Sequence, residues 1–326
     1  MKTSCRAAGS VRRLACLLVV TTLGALVASS QVRGQGLWQE ALAVFPSQTF
    51  RIEQSRLDTL RKLPSYNSLR QRYVSPRLLK LEESLTKLGV RESDLDVIIL
   101  GWQPGAKEMD LFGYVSGKFD PKKVADSAAT EGIQGMPVGD ETAYCFEGGL
   151  EATCVALVDQ GHGVFGTFNS LTLMLDSRAG RTAGQGAPDS LRQMVREAKV
   201  SSPIWGVAVG AAVPDWFRGS MPGQDKMNLD WSTAFQSVEA LGYSVDPTDR
   251  VHLDVLMSCN SPEAAANLQR ILDGVRVFQQ SFWQQTHPNQ PNPLSGLTVT
   301  ASGKRIQLQA TTDYTAVEGM ATANQP

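Results

Sequence analysis

One strand-to-helix passage occurs twice in this chain, 141 residues apart, and it limits the possible architectures more than any other feature. Residues 111–119 (LFGYVSGKF) alternate like a strand, then enter Asp120-Pro121 and the helical stretch KKVADSAATEG. Residues 252–260 (HLDVLMSCN) do the same before Ser261-Pro262 and EAAANLQRILDGV. Asp or Ser followed by Pro reads as an N-cap followed by the first helical residue. The cap oxygen accepts from free amides, and Pro loses nothing where no donor is needed. A second match lies downstream at an offset of 142: Val155, Leu157, Gly161 and Val164 against Leu297, Val299, Gly303 and Ile306. Both stretches alternate, turn at a glycine and alternate again, which predicts a hairpin in each half.

The upstream parts match more loosely. Thr49–Glu53 and Ile204–Val209 read as opening strands. Leu78, Leu81, Leu85 and Leu88 form one stripe of a helix that starts at Ser75-Pro76 and stops at Gly89. Val97–Leu100 and Leu241–Val245 read as strands that follow. Leu191, Met194, Val195 and Ala198 mark a short amphipathic helix, and residues 178–189, rich in Gly and Ala, read as the connection between halves. Residues 284–296 read as a polar loop. The expected fold is α+β: two related modules, at 40–180 and 190–320, with mostly antiparallel sheet and helices packed on one face. Whether the modules are separate or share one sheet is open at this stage. A frayed tail is expected at 321–326.

The N-terminus predicts export. Lys2, Arg6, Arg12 and Arg13 precede a 15-residue apolar run, Leu14 to Ala28, and small residues follow. This is the pattern of a secretory signal peptide over residues 1–34, cleaved within 29–34. The run is shorter than the roughly 20 residues that span a bilayer. No later run is long enough, so no transmembrane segment is expected in the mature chain. A periplasmic or extracellular location follows. Without residues 1–30, 27 basic and 32 acidic residues remain, a net charge near −5 with no basic stripe. Nucleic-acid binding is therefore excluded as an expectation.

Support for catalysis is weak. The three histidines, His162, His252 and His287, lack metal-ligand spacing, and neither a metal nor a cofactor is expected. His252 and Asp254 share a strand face, which leaves a hydrolase using His252 as one alternative. Exposed polar pairs on strands are the commoner explanation. The Ser84-x-x-Lys87 pattern lies inside a charged amphipathic helix and has no downstream partner element. Cys145 and Cys154 flank a candidate turn at Gly149-Leu150 and would sit opposite each other, bonded or reduced. Cys259 shares strand parity with Leu253, Val255 and Met257, as a buried small hydrophobe does. Trp216, Phe217, Met221, Met227 and Trp231 crowd a loop rich in Gly, Pro and Asp. They form either a binding patch for a protein or apolar-ligand partner, or a loop pinned over the core.

The signal peptide, the Gln-rich start of the mature chain and the two-fold α+β layout resemble uncharacterised exported proteins of Gram-negative soil bacteria. The resemblance is one of layout and implies an envelope location but no activity. The leading expectation is an exported, non-catalytic protein that binds a partner or serves as an envelope structural component. A periplasmic carrier of an apolar ligand or lipid is the other alternative.

Overall fold

The computed structural model describes residues 36–74, 76–105, 109–146, 153–182, 186–210, 213, 231–287, 292 and 294–314. The expected signal peptide and tail lie outside them. The first half runs α1 (36–44), β1 (Arg51–Arg56), α2 (Leu57–Leu60), α3 (Tyr66–Tyr73), α4 (Pro76–Lys87), β2 (Leu95–Pro104) and β3 (Met109–Gly117). It continues with α5 (Pro121–Thr130), β4 (Gly135–Val138), β5 (Glu141–Phe146), β6 (Thr153–Leu157), β7 (His162–Gly166) and α6 (Phe168–Arg178). The second half holds α7 (Asp189–Glu197), β8 (Ile204–Val209), α8 (Trp231–Phe235), β9 (Val238–Asp246), β10 (Val251–Cys259), α9 (Pro262–Thr286), β11 (Thr298–Ser302) and β12 (Arg305–Thr312).

The two halves share one sheet. Among the described residues it has 12 strands in the order β11-β12-β10-β9-β8-β1-β2-β3-β7-β6-β5-β4. Every neighbouring pair is antiparallel. The seam is β1 against β8, with Ile52 facing Val207 and Gln54 facing Trp205. Outward from it, β1, β2, β3, β7 and β6 run in the same order as β8, β9, β10, β12 and β11.

Both proline-marked helices begin where the caps place them. Asp120 accepts from the amides of Lys122 (3.1 Å) and Lys123 (3.2 Å), and Ser261 accepts from that of Ala264 (3.1 Å). Their continuations differ. After α5 the chain builds the β4–β5 hairpin, whereas α9 continues through Gly274 to Thr286. The polar loop read at 284–296 therefore starts later, at His287. Gln269 of α9 donates to the Val299 carbonyl (3.3 Å) and so covers an acceptor of the edge strand β11.

Strand parity divides the core. One sheet face carries Leu100, Leu111, Val115 and Phe165 under Leu81 and Leu88 of the α4 segment and Val124 of α5. Farther along the same face, Leu241, Met257, Val299 and Ile306 lie under Ala265, Leu268 and Leu272 of α9. The expected single helical face describes these helices. The opposite face adds a second layer, in which α1, α6 and α7 cover Ile52, Ile99, Phe112, Tyr114 and Trp205. This layer thins out at β10, where Leu256 still packs against it, and leaves β12 and β11 with a polar strand face.

Cys145 and Cys154 lie directly opposite each other on β5 and β6, with Cα atoms 3.9 Å apart, and are joined by a disulfide. Cys259 is free and buried. Among the described residues, no helix is long and apolar enough to cross a membrane.

Candidate functional site

The densest polar chemistry surrounds α6, a helix that the sequence pattern did not announce. Its N-cap is Thr167, whose Oγ1 accepts from the Ser170 amide (3.3 Å). The β2–β3 register sets Gln103 opposite Asp110 beneath this helix start. Asp110 is 6% exposed, Gln103 9% and Ser170 fully buried. Three donors converge on Asp110 Oδ2: Ser170 Oγ, Thr167 Oγ1 at 3.2 Å and Gln103 Nε2 at 3.1 Å. Gln103 Nε2 also donates to Ser170 Oγ (3.0 Å). A carboxylate at a helix N-terminus is favoured by the helix dipole, typically by 0.3–1 kcal/mol. Among the described residues, Asp110 Oδ1 is buried without a hydrogen-bond partner.

The other end of α6 carries the complementary charge. Arg178, in its last turn, donates to the Tyr114 hydroxyl and, at 3.2 Å, to Asp159 Oδ2. Tyr114 in turn donates to Glu40 Oε2 of α1 (3.1 Å). His162 Nδ1 lies 2.9 Å from Asp159 Oδ1. Burial raises the Tyr114 pKa above the ordinary phenol value, with Arg178 opposing and Glu40 adding to the rise. Burial also works against the charge of Asp159, but the bonds from His162 and the Gly161 amide outweigh it and hold its pKa below the usual carboxylate value. Together these contacts fasten α1, α6 and the β6–β7 turn to the sheet.

The residues singled out from sequence are dispersed. His252 lies at an exposed strand end, with Nδ1 3.0 Å from Thr311 Oγ1 and Nε2 3.1 Å from Asp249 Oδ1. Asp254 shares its strand face but is occupied elsewhere. It accepts from Lys199 Nζ, from Gln309 Nε2 (3.1 Å) and from Gln307 Nε2 (3.3 Å). Burial of Asp254 is outweighed by these donors, and its pKa is lowered. By strand position and face, the first-half counterpart of His252 is Asp110. The constant offset of 141 points instead to Leu111, on the opposite face. One residue fewer separates β10 from its helix than separates β3, so the offset within the strands is 142.

Trp216, Phe217, Met221 and Met227 lie outside the described residues; Trp231 opens α8. Among the described residues no cluster of three or more His, Cys, Asp or Glu could hold a metal ion. A wholly apolar cavity of about 40 Å³ lies between α4, α5 and the sheet, lined by Leu81, Leu88, Phe119, Tyr144 and Val155 among others. The sequence reading missed Asp110, Gln103 and Ser170. The available signal was a lone acid entering the apolar strand 111–119.

Comparison with known proteins bears on the fold alone. No protein-family model matches the chain, and no curated protein does. A solved structure, crystal form III of TP0453, is similar over 87% of this chain and 98% of its own, with a TM-score of 0.50 and 10% identity. Crystal forms IV and I of TP0453 give TM-scores of 0.49 and 0.47 at 11% identity. The likeness to form III extends over both halves of the sheet.

Proposed function

We propose that this chain is an exported, non-catalytic protein of two duplicated modules, acting by binding or as an envelope structural component. The observation that carries the reading is the Cys145–Cys154 disulfide in a chain with a secretory-type N-terminus. Such bonds persist in oxidising compartments and are rare in the cytosol. The matching strand order on either side of the β1–β8 seam supports duplication. The hydrolase alternative loses support because Asp254, the carboxylate expected to orient His252, is held by Lys199 and two glutamines. Among the described residues the carrier alternative is supported by little: the apolar cavity of about 40 Å³ is far below the roughly 300–1,000 Å³ of ordinary ligand pockets, and the open groove of about 490 Å³ between α4 and α5 is lined by polar and charged residues such as Lys87, Asp120 and Lys123, which do not suit an apolar ligand.

The test is mass spectrometry of the protein recovered from the cell envelope. The expected species begins between Ser30 and Gln35 and carries the 145–154 bond. An intact Met1 terminus in soluble cytoplasm, with both thiols free, would end the export reading. For the non-catalytic part, wild type and His252→Ala are assayed against ester, peptide and glycoside panels. Wild-type turnover that the substitution abolishes would overturn it.

A further inference from the structure

The two ends of the sheet are finished differently: β4 closes one and β11 the other. In β4 the turn at 139–140 joins Val138 to Glu141. The residues that flank a two-residue hairpin turn bond to each other, and bonding alternates from there. Val138 and Met136 therefore bond to β5, while Gly135 and Pro137 turn their backbone groups outward. Pro137 has no N–H to offer there. A short edge that lacks a donor is protected against taking another strand.

β11 has neither proline nor charge; it reads Thr-Val-Thr-Ala-Ser. The turn Gly303-Lys304 joins Ser302 to Arg305. Thr298, Thr300 and Ser302 therefore bond to β12, and Val299 and Ala301 face outward. Two contacts agree with this parity. The Lys304 carbonyl turns the other way and accepts from the Cys259 amide of β10 (2.8 Å). The Val299 carbonyl accepts from Gln269 of α9, beyond the edge. Among the described residues, that glutamine alone reaches the outward amides and carbonyls of Val299 and Ala301.

The first half shows what fits such an edge. β11 corresponds in strand order to β6, and β6 carries an antiparallel neighbour, β5, on its outer side. That neighbour comes from the chain between α5 and β6; among the described residues the second half supplies no counterpart.

β11 of a second copy matches the vacancy. In antiparallel pairing with the two-fold axis at Thr300, Val299 lies opposite Ala301 of the second copy, and each pair exchanges both bonds. All the outward amides then find acceptors, the Val299 oxygen using the lone pair that Gln269 leaves. Thr300 faces Thr300 and Thr298 faces Ser302, so no like charges meet. Pairing β11 with β4 of another copy would be head-to-tail, without closure, and would meet Pro137.

We infer that the β11 edge is the surface through which two copies of this chain associate, antiparallel and two-fold symmetric, joining two 12-stranded sheets into one. The inference goes beyond the proposed function and holds whether or not the chain is exported.

The purified protein is followed by sedimentation equilibrium over a concentration series, and a monomer–dimer equilibrium is expected. Ala301→Pro removes an outward donor and no bond to β12, as Pro137 does on β4. It should weaken association about tenfold or more, since symmetry deletes the bond twice. Thr300→Lys, at an exposed position, brings two ammonium groups together at the axis. It should weaken association by a similar factor, more at low salt, so the test stands even if the proline variant misfolds. Thr300→Cys should crosslink to itself under mild oxidation, because facing residues of such a pair have Cα atoms about 4.5 Å apart. Thr298→Cys, which faces Ser302, should not. A protein monomeric at every concentration reached, a dimer indifferent to both Ala301→Pro and Thr300→Lys, or a dimer that Thr300→Cys fails to link would overturn the inference. So would a monomer that takes a strand from a different protein at this edge.

Discussion

Filling the apolar void in the first half should stabilise the protein. Val155 on β6 is 7% exposed and lines the 40 Å³ cavity beneath α4 and α5. Val155→Ile keeps a β-branched residue in a strand and adds one methylene toward the void. An unfilled cavity costs about 24 cal/mol per Å³, so a void of about 40 Å³ represents about 1 kcal/mol. A buried methylene contributes about 0.8 kcal/mol by transfer. These are two measures of one effect and do not add. The expected gain is about 1 kcal/mol, read in urea as a higher midpoint at unchanged slope. The companion change, Leu88→Ala, enlarges the same space, since Leu88 is 1% exposed and lines it. Its cost should fall near the upper end of the roughly 2.7–5.0 kcal/mol range, because the new hole merges with the old one. If Val155→Ile lowers stability by about 1 kcal/mol or more, the added carbon meets packed atoms rather than space. The cavity argument would then be refuted.

Three other outcomes are expected. Gly113→Ala should destabilise by about 1–3 kcal/mol by overpacking, because the new Cβ would lie 2.3 Å from the Phe165 ring and 3.0 Å from the Ile99 carbonyl; a neutral change in a denaturation curve would contradict the cross-strand packing. Removing the 145–154 bond, by reduction or by paired Cys→Ala substitution, opens a loop of sequence separation 9 and should cost about 2–3 kcal/mol. Asp159 has a folded pKa below the ordinary carboxylate value. Its contribution is therefore complete above that ordinary value and is lost as pH falls through the lower folded one. Asp159→Asn should flatten the acid limb of the stability profile, and an unchanged limb would show that the α6 clamp does not depend on this charge.

Some features were legible because their code is local. The Asp120-Pro121 and Ser261-Pro262 pairs announce helices in any context, since the cap bonds span only two or three residues. Alternation located β8 at Ile204–Val209, and the leucine stripe located α4. The buried side of β10, including Cys259, followed from parity alone. α6 stayed hidden for an equally physical reason. Its apolar residues Leu171, Leu173, Met174 and Leu175 crowd together, so the segment shows no clean helical stripe. It is a helix because it lies on Phe112 and Tyr114 and has Asp110 and Arg178 at its ends.

Local sequence accounts for the repeated strand–cap–helix passage, the hairpin that follows it in each half, and the opposed cysteines. Each depends on neighbours a few residues apart, or on a parity that holds along one strand. The pairing of β1 with β8, which makes one sheet of two halves, emerges from long-range packing. An exposed strand edge does not specify its partner in its own residues, so that choice rests on contacts about 150 residues distant. Tertiary structure also decided that equivalent strand positions hold a buried Asp110 and an exposed His252. The same face is roofed by α6 over Asp110 and left open at the strand end that carries His252, and burial of a side chain is set by what covers it rather than by the strand that carries it.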